Sequence, residues 1–324
     1  MIRELVTALA VTAVSVSPLL GQVDVREWTV PWAQSRPRDP YVAPDGRVWF
    51  VGQRTHYVAA LDPESGVFQR FDLDDGTGPH NLIVDADGMV WYAGNRAQHI
   101  GILNPETGQI TKIATPEGVT DPHTLVFDGR GNIWFTAQQS NYVGVINMAS
   151  REIRVAPVPT PRARPYGIVL HDGQPWIVLF GTNKLATVDP ATMELREISL
   201  PREDARPRRL VVTSDGRVWY GDYSGGYLGR YDPRDGSFEE WPLPSGGGAL
   251  PYGMALDDRG RIWLVETGPR PNQLVGFDPA TEAFFGVTPI ESGAGSVRHM
   301  YFHAPTRSIW FGTDANTVGR AVVP

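Results

Sequence analysis

The chain is organised around a tryptophan that recurs at nearly constant intervals. The repeated tryptophans are Trp49, Trp91, Trp134, Trp176, Trp219, Trp263 and Trp310, spaced by 42, 43, 42, 43, 44 and 47 residues. Self-similarity at such a period is typical of proteins in which each repeat is one supersecondary unit. This period constrains the fold more strongly than any other feature of the sequence.

Each repeat reads as four short strands. A proline-led segment such as PHTLVFD comes first, then a turn with Asp-Gly or Arg-Gly, and then a tryptophan segment such as NIWFTA. A third segment runs into an Asx-Pro or similar turn, and a more polar fourth segment closes the unit, as in HIGILNPETG followed by ITKIAT. Four strands in each repeat of roughly 40–45 residues are the pattern of a β-propeller blade. We therefore predict an all-β, seven-bladed propeller of four-stranded blades, in which repeated glycines such as Gly101 and Gly229 let neighbouring sheets approach closely.

The two ends of the repeat region predict how the ring closes. After Trp310 the segment TVGRAVVP supplies a third strand but no fourth. Residues 25–31, within VREWTVPW, read like the fourth strands of other repeats. We expect them to complete the last blade and so to remove its exposed edges. Residues 22–324 are then a single propeller domain.

The first residues indicate where the protein is located, and the composition excludes some classes of ligand and chemistry. Residues 1–21 contain Arg3 and an apolar stretch from Leu5 to Leu20, which is short for a membrane span and typical of an export signal. We expect a periplasmic or extracellular protein with no stable membrane span after signal removal, the alternative being a single signal anchor. The net charge of −7 argues against nucleic-acid binding, and the absence of cysteine excludes disulfides and thiolate chemistry.

The innermost strand of each blade lines the central channel of a propeller, and ligands bind at a channel mouth. The position eleven residues before the tryptophan holds Arg38, His80, His123, Arg208 and Tyr252, with Tyr166 in a blade shortened by one residue. In the last blade His299 has this spacing, with Arg298 beside it. Polar side chains in all seven blades indicate a binding site. The arginines and histidines favour a ligand with a carboxylate or another electron-rich oxygen.

A second set of positions lies fourteen residues further along, near the end of each tryptophan strand. Asp222 and Glu266 are the only carboxylates in this set. The residues predicted to contact the substrate are Arg38, Arg208, Tyr252, Arg298, His299, Glu266 and Asp222.

The repeat resembles the virginiamycin B lyase (streptogramin B lyase) family. The likeness rests on PYGIVL-type inner strands, Asp-Gly-x-x-Trp-Phe turns and strands, third strands such as IGILNP, and fourth strands such as EEWPLP. It covers residues 25–324. It implies a seven-bladed propeller, and an enzyme that opens a cyclic depsipeptide by elimination across an ester with Mg²⁺.

The resemblance also implies roles for individual residues. His80, His123 and Tyr166 stand at equivalent positions on three consecutive blades. His123 is then the general base or acid, His80 its partner, and Tyr166 a substrate or oxyanion contact. Asp121, two residues before His123, takes the place of a metal-binding glutamate and is the candidate Mg²⁺ ligand. The second family glutamate is replaced by Ala137.

The sequence is also compatible with two other functions. One is a non-catalytic propeller that binds a ligand or a partner protein through the same mouth, which the missing glutamate favours. The other is a metal-dependent, lactonase-type hydrolase, against which the seven repeats argue. In each case we expect a monomer, and for the two enzyme readings the partner is a small-molecule substrate, possibly a cyclic ester or anionic ligand.

Overall fold

The computed structural model describes residues 22–324, and the predicted export signal, residues 1–21, lies outside the described residues. The described chain forms seven four-stranded antiparallel sheets arranged as blades around one axis. The predicted seven-bladed propeller is confirmed. Among the described residues no helix has the length and apolar character needed to cross a membrane.

The blades share one strand order from the axis outward. The innermost strands are β2 (Pro37–Val42), β6 (Leu82–Val84), β10 (Pro122–Phe127), β14 (Pro165–His171), β18 (Pro207–Val212), β22 (Pro251–Leu256) and β26 (Val297–His303). The second strands, which carry the repeated tryptophans, are β3 (Val48–Gly52), β7 (Val90–Gly94), β11 (Asn132–Ala137), β15 (Gln174–Leu179), β19 (Val218–Asp222), β23 (Ile262–Glu266) and β27 (Ser308–Thr313).

The outer half of each blade consists of a mostly buried third strand and a more exposed outermost strand. The third strands are β4 (Tyr57–Leu61), β8 (His99–Leu103), β12 (Tyr142–Asn147), β16 (Lys184–Val188), β20 (Tyr227–Tyr231), β24 (Gln273–Asp278) and β28 (Thr317–Val322). The outermost strands are β5 (Phe68–Asp72), β9 (Ile110–Ala114), β13 (Ile153–Pro157), β17 (Leu195–Ser199), β21 (Phe238–Pro242), β25 (Ala283–Pro289) and β1 (Asp24–Thr29).

The last blade combines both ends of the described chain. Strand β1 pairs antiparallel with β28, from Asp24 opposite Val322 to Thr29 opposite Thr317. Trp28 of β1 stacks on Trp310, with ring centroids 5.5 Å apart. The predicted closure by an N-terminal strand is confirmed, with the strand at residues 24–29 in place of 25–31. Because β1 covers the edge of β28, the ring has no open seam there.

Each repeated tryptophan is buried in the core between its own blade and the next. Trp91 packs with Leu125 and Phe135 of the following blade. Trp310 packs with Val48 and Phe50, so the same contact joins the last blade to the first. The side chains of the seven tryptophans are at most 6 % exposed. A large aromatic at this position therefore makes the inter-blade contact around the whole ring.

The repeated glycines of the third strands have a different role from the one predicted. A Cβ at Gly101 would lie 2.0 Å from the ring of Tyr92, and one at Gly229 would lie 2.1 Å from the ring of Tyr220. In both pairs the aromatic residue is the cross-strand partner in the same sheet. Glycine is therefore required at these positions because an aromatic ring of the same blade occupies the space of a Cβ. The close approach of a neighbouring sheet is not the reason.

Deletion of residues 22–29 should lower the melting temperature by roughly 10 °C or more, because it removes β1 and the buried Trp28 and exposes the edge of β28. The measurement is thermal unfolding followed by circular dichroism. Deletion of residues 1–21 alone is the control and should leave the melting temperature of the propeller unchanged. Equal melting temperatures for both deletions would contradict the closure by β1.

Candidate functional site

One residue at the start of each innermost strand, or just before the strand in the second blade, faces its counterparts at one end of the channel. The residue before it pairs with the last residue of the tryptophan strand. Thus His123 follows Pro122, which pairs with Ala137, and Tyr252 follows Pro251, which pairs with Glu266. In the second blade His80 precedes β6, and its amide donates to the carbonyl of Ala93. We call this set the mouth layer: Arg38, His80, His123, Tyr166, Arg208, Tyr252 and Arg298.

The seventh member of the mouth layer is Arg298 and not His299, which corrects the position predicted from spacing. Val297 pairs with Thr313 and so takes the place that proline has in the other blades. The hairpin between β26 and β27 is longer because it contains the 3-10 turn Ala304–Thr306. Because of this extra length, the mouth-layer residue of the last blade lies twelve residues before its tryptophan and not eleven. His299 is therefore the next residue along the strand and lies deeper in the channel.

The predicted trio His80, His123 and Tyr166 comes together. The rings of His80 and His123 have centroids 3.5 Å apart, and those of His123 and Tyr166 are 4.2 Å apart. The Tyr166 hydroxyl shares a hydrogen bond with the hydroxyl of Tyr252, which lies two blades further on. The four side chains are at most 5 % exposed. They form one buried polar cluster at the axis.

The arginines of the mouth layer surround this cluster. The Arg208 guanidinium lies over the Tyr252 ring, 3.6 Å from its centroid, and Arg298 Nη1 is 3.5 Å from the Tyr252 hydroxyl. Arg38 is 5 % exposed and donates from Nη1 to Gln53. Within residues 22–324, Arg38 Nε and Nη2 and Arg208 Nε have no hydrogen-bond partner. Such buried N–H groups are suited to an oxygen-rich anion.

Burial and these arginines set the protonation of the cluster. Burial lowers the pKa of His80 and of His123 well below the usual value, and the charges of Arg38 and Arg209 lower both further. Both imidazoles are therefore neutral at neutral pH. For Tyr252, burial opposes ionisation but is outweighed by Arg208, Arg38 and Arg298, so its pKa falls to about 8. Burial, together with the neighbouring Tyr252, raises the pKa of Tyr166.

The next residue along each innermost strand forms a second polar set, which the spacing argument missed. We call it the inner layer: Asp39, Asn81, Thr124, Arg209 and His299, with Gly167 and Gly253 in the other two blades. Its sequence signal is a second polar residue directly after the mouth-layer position in five blades, as in HN and HT. It lies directly beneath the candidate site.

The inner layer spans the channel from blade to blade. Arg209 Nη2 lies 3.7 Å from Asp39 Oδ2, and Arg209 Nη1 donates to Thr124 Oγ1 at 3.3 Å. Asn81 Nδ2 donates to Asp39 Oδ2 at 3.0 Å. His123 Nδ1 is 2.9 Å from Thr124 Oγ1, so the inner layer also orients a mouth-layer histidine. These contacts join residues of four blades across the axis.

Asp121, the predicted metal ligand, is engaged by the turn that follows β11. Its carboxylate accepts hydrogen bonds from the amides of Gln139 and Ser140, at 2.5 and 3.0 Å, and from the Ser140 hydroxyl at 2.8 Å. Residues 22–324 contain no group of three or more His, Cys, Asp or Glu side chains that could hold a metal ion. Mg²⁺ prefers several oxygen ligands in octahedral geometry, so the donor set near Asp121 does not fit this ion.

The two predicted carboxylates at the ends of tryptophan strands are also held by loops. Asp222 accepts from the amide of Arg206 at 2.8 Å and forms an ion pair with Arg202. Glu266 accepts from the amide and hydroxyl of Ser245, at 3.0 and 2.5 Å. Both side chains are fully buried. Contact with a substrate would require these hydrogen bonds to break, and their predicted role in substrate binding stays a prediction.

The Asp121→Ala substitution should lower the free energy of unfolding by about 1–3 kcal/mol, because it removes a buried carboxylate that accepts three hydrogen bonds from the 139–140 turn. Glu117→Ala, an exposed residue in the preceding loop, is the matched control and should have little effect. Urea unfolding with and without Mg²⁺ is the measurement. A Mg²⁺-dependent gain in stability that disappears in the Asp121 variant would contradict this interpretation. It would show that Mg²⁺ binds the folded protein and that Asp121 is needed for this binding.

Stability should decrease as the pH falls from about 7 to about 5. The pKa of His80, of His123 and of His299, the last to about 4, is lowered in the folded protein, whereas in the unfolded chain these histidines protonate at about 6.5. Below about pH 6.5 the unfolded state therefore binds more protons, and each histidine costs up to about 1.4 kcal/mol per pH unit until its folded pKa is reached.

The measurement is the slope of the free energy of unfolding against pH, from urea titrations. His123→Gln should make the slope less steep by the contribution of one histidine. Val67→Ala, at an exposed valine that does not titrate, is the control and should leave the slope unchanged. An unchanged slope in the His123 variant would show that this imidazole does not titrate differently on folding.

Comparison with solved structures finds the same fold in other proteins. A streptogramin B lyase structure superposes with a TM-score of 0.83 at 23 % identity, covering 93 % of this chain and 98 % of that one. Virginiamycin B lyase from Staphylococcus aureus superposes at 0.84 with 20 % identity, covering 94 % and 100 %. A catalytically inactive variant of that enzyme, solved with quinupristin, gives the same values.

At these identities the superpositions show the fold alone, and no curated protein sequence matches the chain. The assignment to a family comes from the sequence profile. The model of the virginiamycin B lyase family matches residues 7–270, which is well over half of the chain, and the chain therefore belongs to the virginiamycin B lyase family.

Proposed function

We propose that this protein is a carbon–oxygen lyase that opens an ester or lactone-type bond of a small-molecule substrate by elimination at the mouth layer. The observation that carries the proposal is the neutral imidazole of His123, whose Nε2 has no hydrogen-bond partner within residues 22–324. It stands beside His80 and within a ring of three arginines. A base next to cationic groups is what an elimination that releases a carboxylate requires.

His123 is the general base in this proposal. When Nδ1–H donates to Thr124 Oγ1, Nε2 carries the lone pair that accepts a proton. Its low pKa keeps the imidazole in the base form at neutral pH. A substrate carboxyl oxygen bound among the arginines offsets their charge, which raises the proton affinity of His123 as the substrate enters. His80, in ring contact with His123, is its partner in accepting the proton.

The elimination balances without water. The C–H bond alpha to a carbonyl breaks, its proton goes to His123 Nε2, and its electron pair forms a new C=C bond. The neighbouring C–O bond breaks, and its electrons leave on the carboxylate of the opened ester. Arg38 and Arg208, with their unpartnered N–H groups, are placed to receive this carboxylate. The Tyr166 and Tyr252 hydroxyls are placed to stabilise the enolate oxygen that forms in between.

In this proposal the guanidinium groups supply the positive charge that the family resemblance assigns to Mg²⁺. The donor set around Asp121 does not fit the ion, and Ala137 stands where a second glutamate would be needed. No step of the proposed elimination therefore uses a metal ion. Export of the chain, and action as a monomer, are part of the same proposal and rest on the sequence alone.

A second candidate function is anion binding without turnover. It is favoured by the same saturated Asp121 and missing glutamate, because a mouth with three arginines binds a carboxylate whether or not a base acts on it. The two candidates differ in the need for His123, since binding by arginines does not require its lone pair.

The assay uses quinupristin as the cyclic depsipeptide ester and mass spectrometry as the readout. We expect a ring-opened product of unchanged mass with a new unsaturation, whereas hydrolysis would add one water. His123→Ala should reduce kcat/KM by about 100-fold or more. His303→Ala, a histidine at the opposite mouth, is the matched control and should retain activity.

Three further outcomes are decisive. Turnover that survives chelation supports the role of the arginines, and loss of turnover on chelation would overturn it. Binding without turnover, undiminished in the His123 variant, would replace the lyase by the binding function. A product heavier by one water would identify a hydrolase.

A further inference from the structure

The central channel continues below the inner layer as an apolar cavity of about 420 Å³. This volume lies within the range of about 300–1,000 Å³ that is usual for small-molecule sites. None of the mouth-layer residues lines it. We call it the lumen, and its walls are formed mainly by Leu82, Leu125, Ile168, Leu210, Met254 and Met300.

The lumen has one polar end and one open end. At the polar end it is lined by Asn81, Thr124, Arg209 and His299 of the inner layer. At the other end Tyr41, Phe127, Tyr301 and Phe302 also line a second cavity of about 750 Å³ at the far mouth of the propeller. A ligand can therefore enter from the face opposite the candidate active site.

Two buried arginines share one carboxylate of the inner layer, Arg209 from the polar end of the lumen and Arg38 from the mouth layer. Arg38 and Arg209 are 5 % and 4 % exposed, and both lie against the single carboxylate of Asp39, at 3.6 and 3.7 Å. Burial raises the pKa of Asp39 but is outweighed by Arg38, His299 and Arg209, so the pKa is lowered and the carboxylate is ionised. Two guanidiniums and one carboxylate leave one buried positive charge, which is unfavourable without a counter-ion.

Two buried hydrogen-bonding atoms at this end complete the recognition pattern. Arg209 Nη2 and His299 Nδ1 have no hydrogen-bond partner within residues 22–324, and both residues line the lumen. A single carboxylate at this end would accept from Arg209 and neutralise the excess charge, while a hydrocarbon part would lie against the leucine and methionine walls.

We propose that the lumen is a second binding site, distinct from the mouth layer, which takes a small apolar monocarboxylate from the far mouth with its carboxylate on Arg209. The ligand class follows from one excess cation, one polar end and apolar walls. The proposal does not depend on the lyase function, because the lumen and the mouth layer lie on opposite sides of the inner layer.

The test is isothermal titration calorimetry of the full-length protein with decanoate. One decanoate should bind per chain, and decanol should bind at least tenfold more weakly because it lacks the charge. Val169→Phe narrows the lumen at a half-buried wall position and should weaken decanoate binding at least tenfold. Val67→Phe, the same change at a valine that is 63 % exposed, is the matched control.

The carboxylate contact is tested with Arg209→Gln, and with the charge-neutral pair Asp39→Asn/Arg209→Gln where the single variant does not fold. Each should weaken decanoate binding at least tenfold and leave decanol binding unchanged. His123→Ala should still bind decanoate. Absence of binding, equal binding in the Val169 variant, equal affinity for decanol, or loss of binding in the His123 variant would each overturn the proposal.

Discussion

The contact between each repeated tryptophan and the following blade is the interaction on which the rest of this structure depends. No blade can bury its own tryptophan, so each needs a neighbour, and the need ends only when the last blade meets the first, as Trp310 does against Val48 and Phe50. Ring closure then brings the starts of seven innermost strands to one axis. Arg38 and Arg298 stand 260 positions apart in the chain, yet both face the same tyrosine cluster because the ring places them in adjacent blades.

The chemistry of the axis follows from how burial acts on groups of different basicity. Arginine keeps its proton in proteins, so the arginines stay charged in the channel. Burial and the charged arginines disfavour protonation of the nearby histidines, so the pKa values of His80, His123 and His299 are all lowered. The same arginines also lower the pKa of Tyr252, because they stabilise its ionised hydroxyl. The result is a set of neutral bases in a positive field, which becomes more basic when an anion enters.

The repeat period was sufficient to predict the fold class, the blade count, the closing strand and the convergence of His80, His123 and Tyr166, because all of these depend on a pattern repeated along the chain. The features that spacing could not supply depend on single departures from that pattern. The longer hairpin before Trp310 moved the seventh mouth position to Arg298. The orientation of Asp121 depends on donors in a turn eighteen residues later, and the pairing of Arg209 with Asp39 depends on which blades face each other across the channel.

In the proposed function arginines take the place of a metal ion, and this changes which groups the mouth layer recognises. A divalent cation concentrates two charges at one point and binds oxygens in a fixed geometry, whereas guanidiniums distribute single charges over planar forks that hold both oxygens of a carboxylate. Arg38, Arg208 and Arg298 approach the tyrosine cluster from three blades, and the ring contacts of Arg208 with Tyr252, Tyr223 and Phe180 fix its plane. In the proposed elimination, a mouth built in this way favours the charged carboxylate that leaves over the neutral ester from which it forms. The inner layer completes the arrangement, because Thr124 contacts His123 Nδ1 on its mouth side and accepts a hydrogen bond from Arg209.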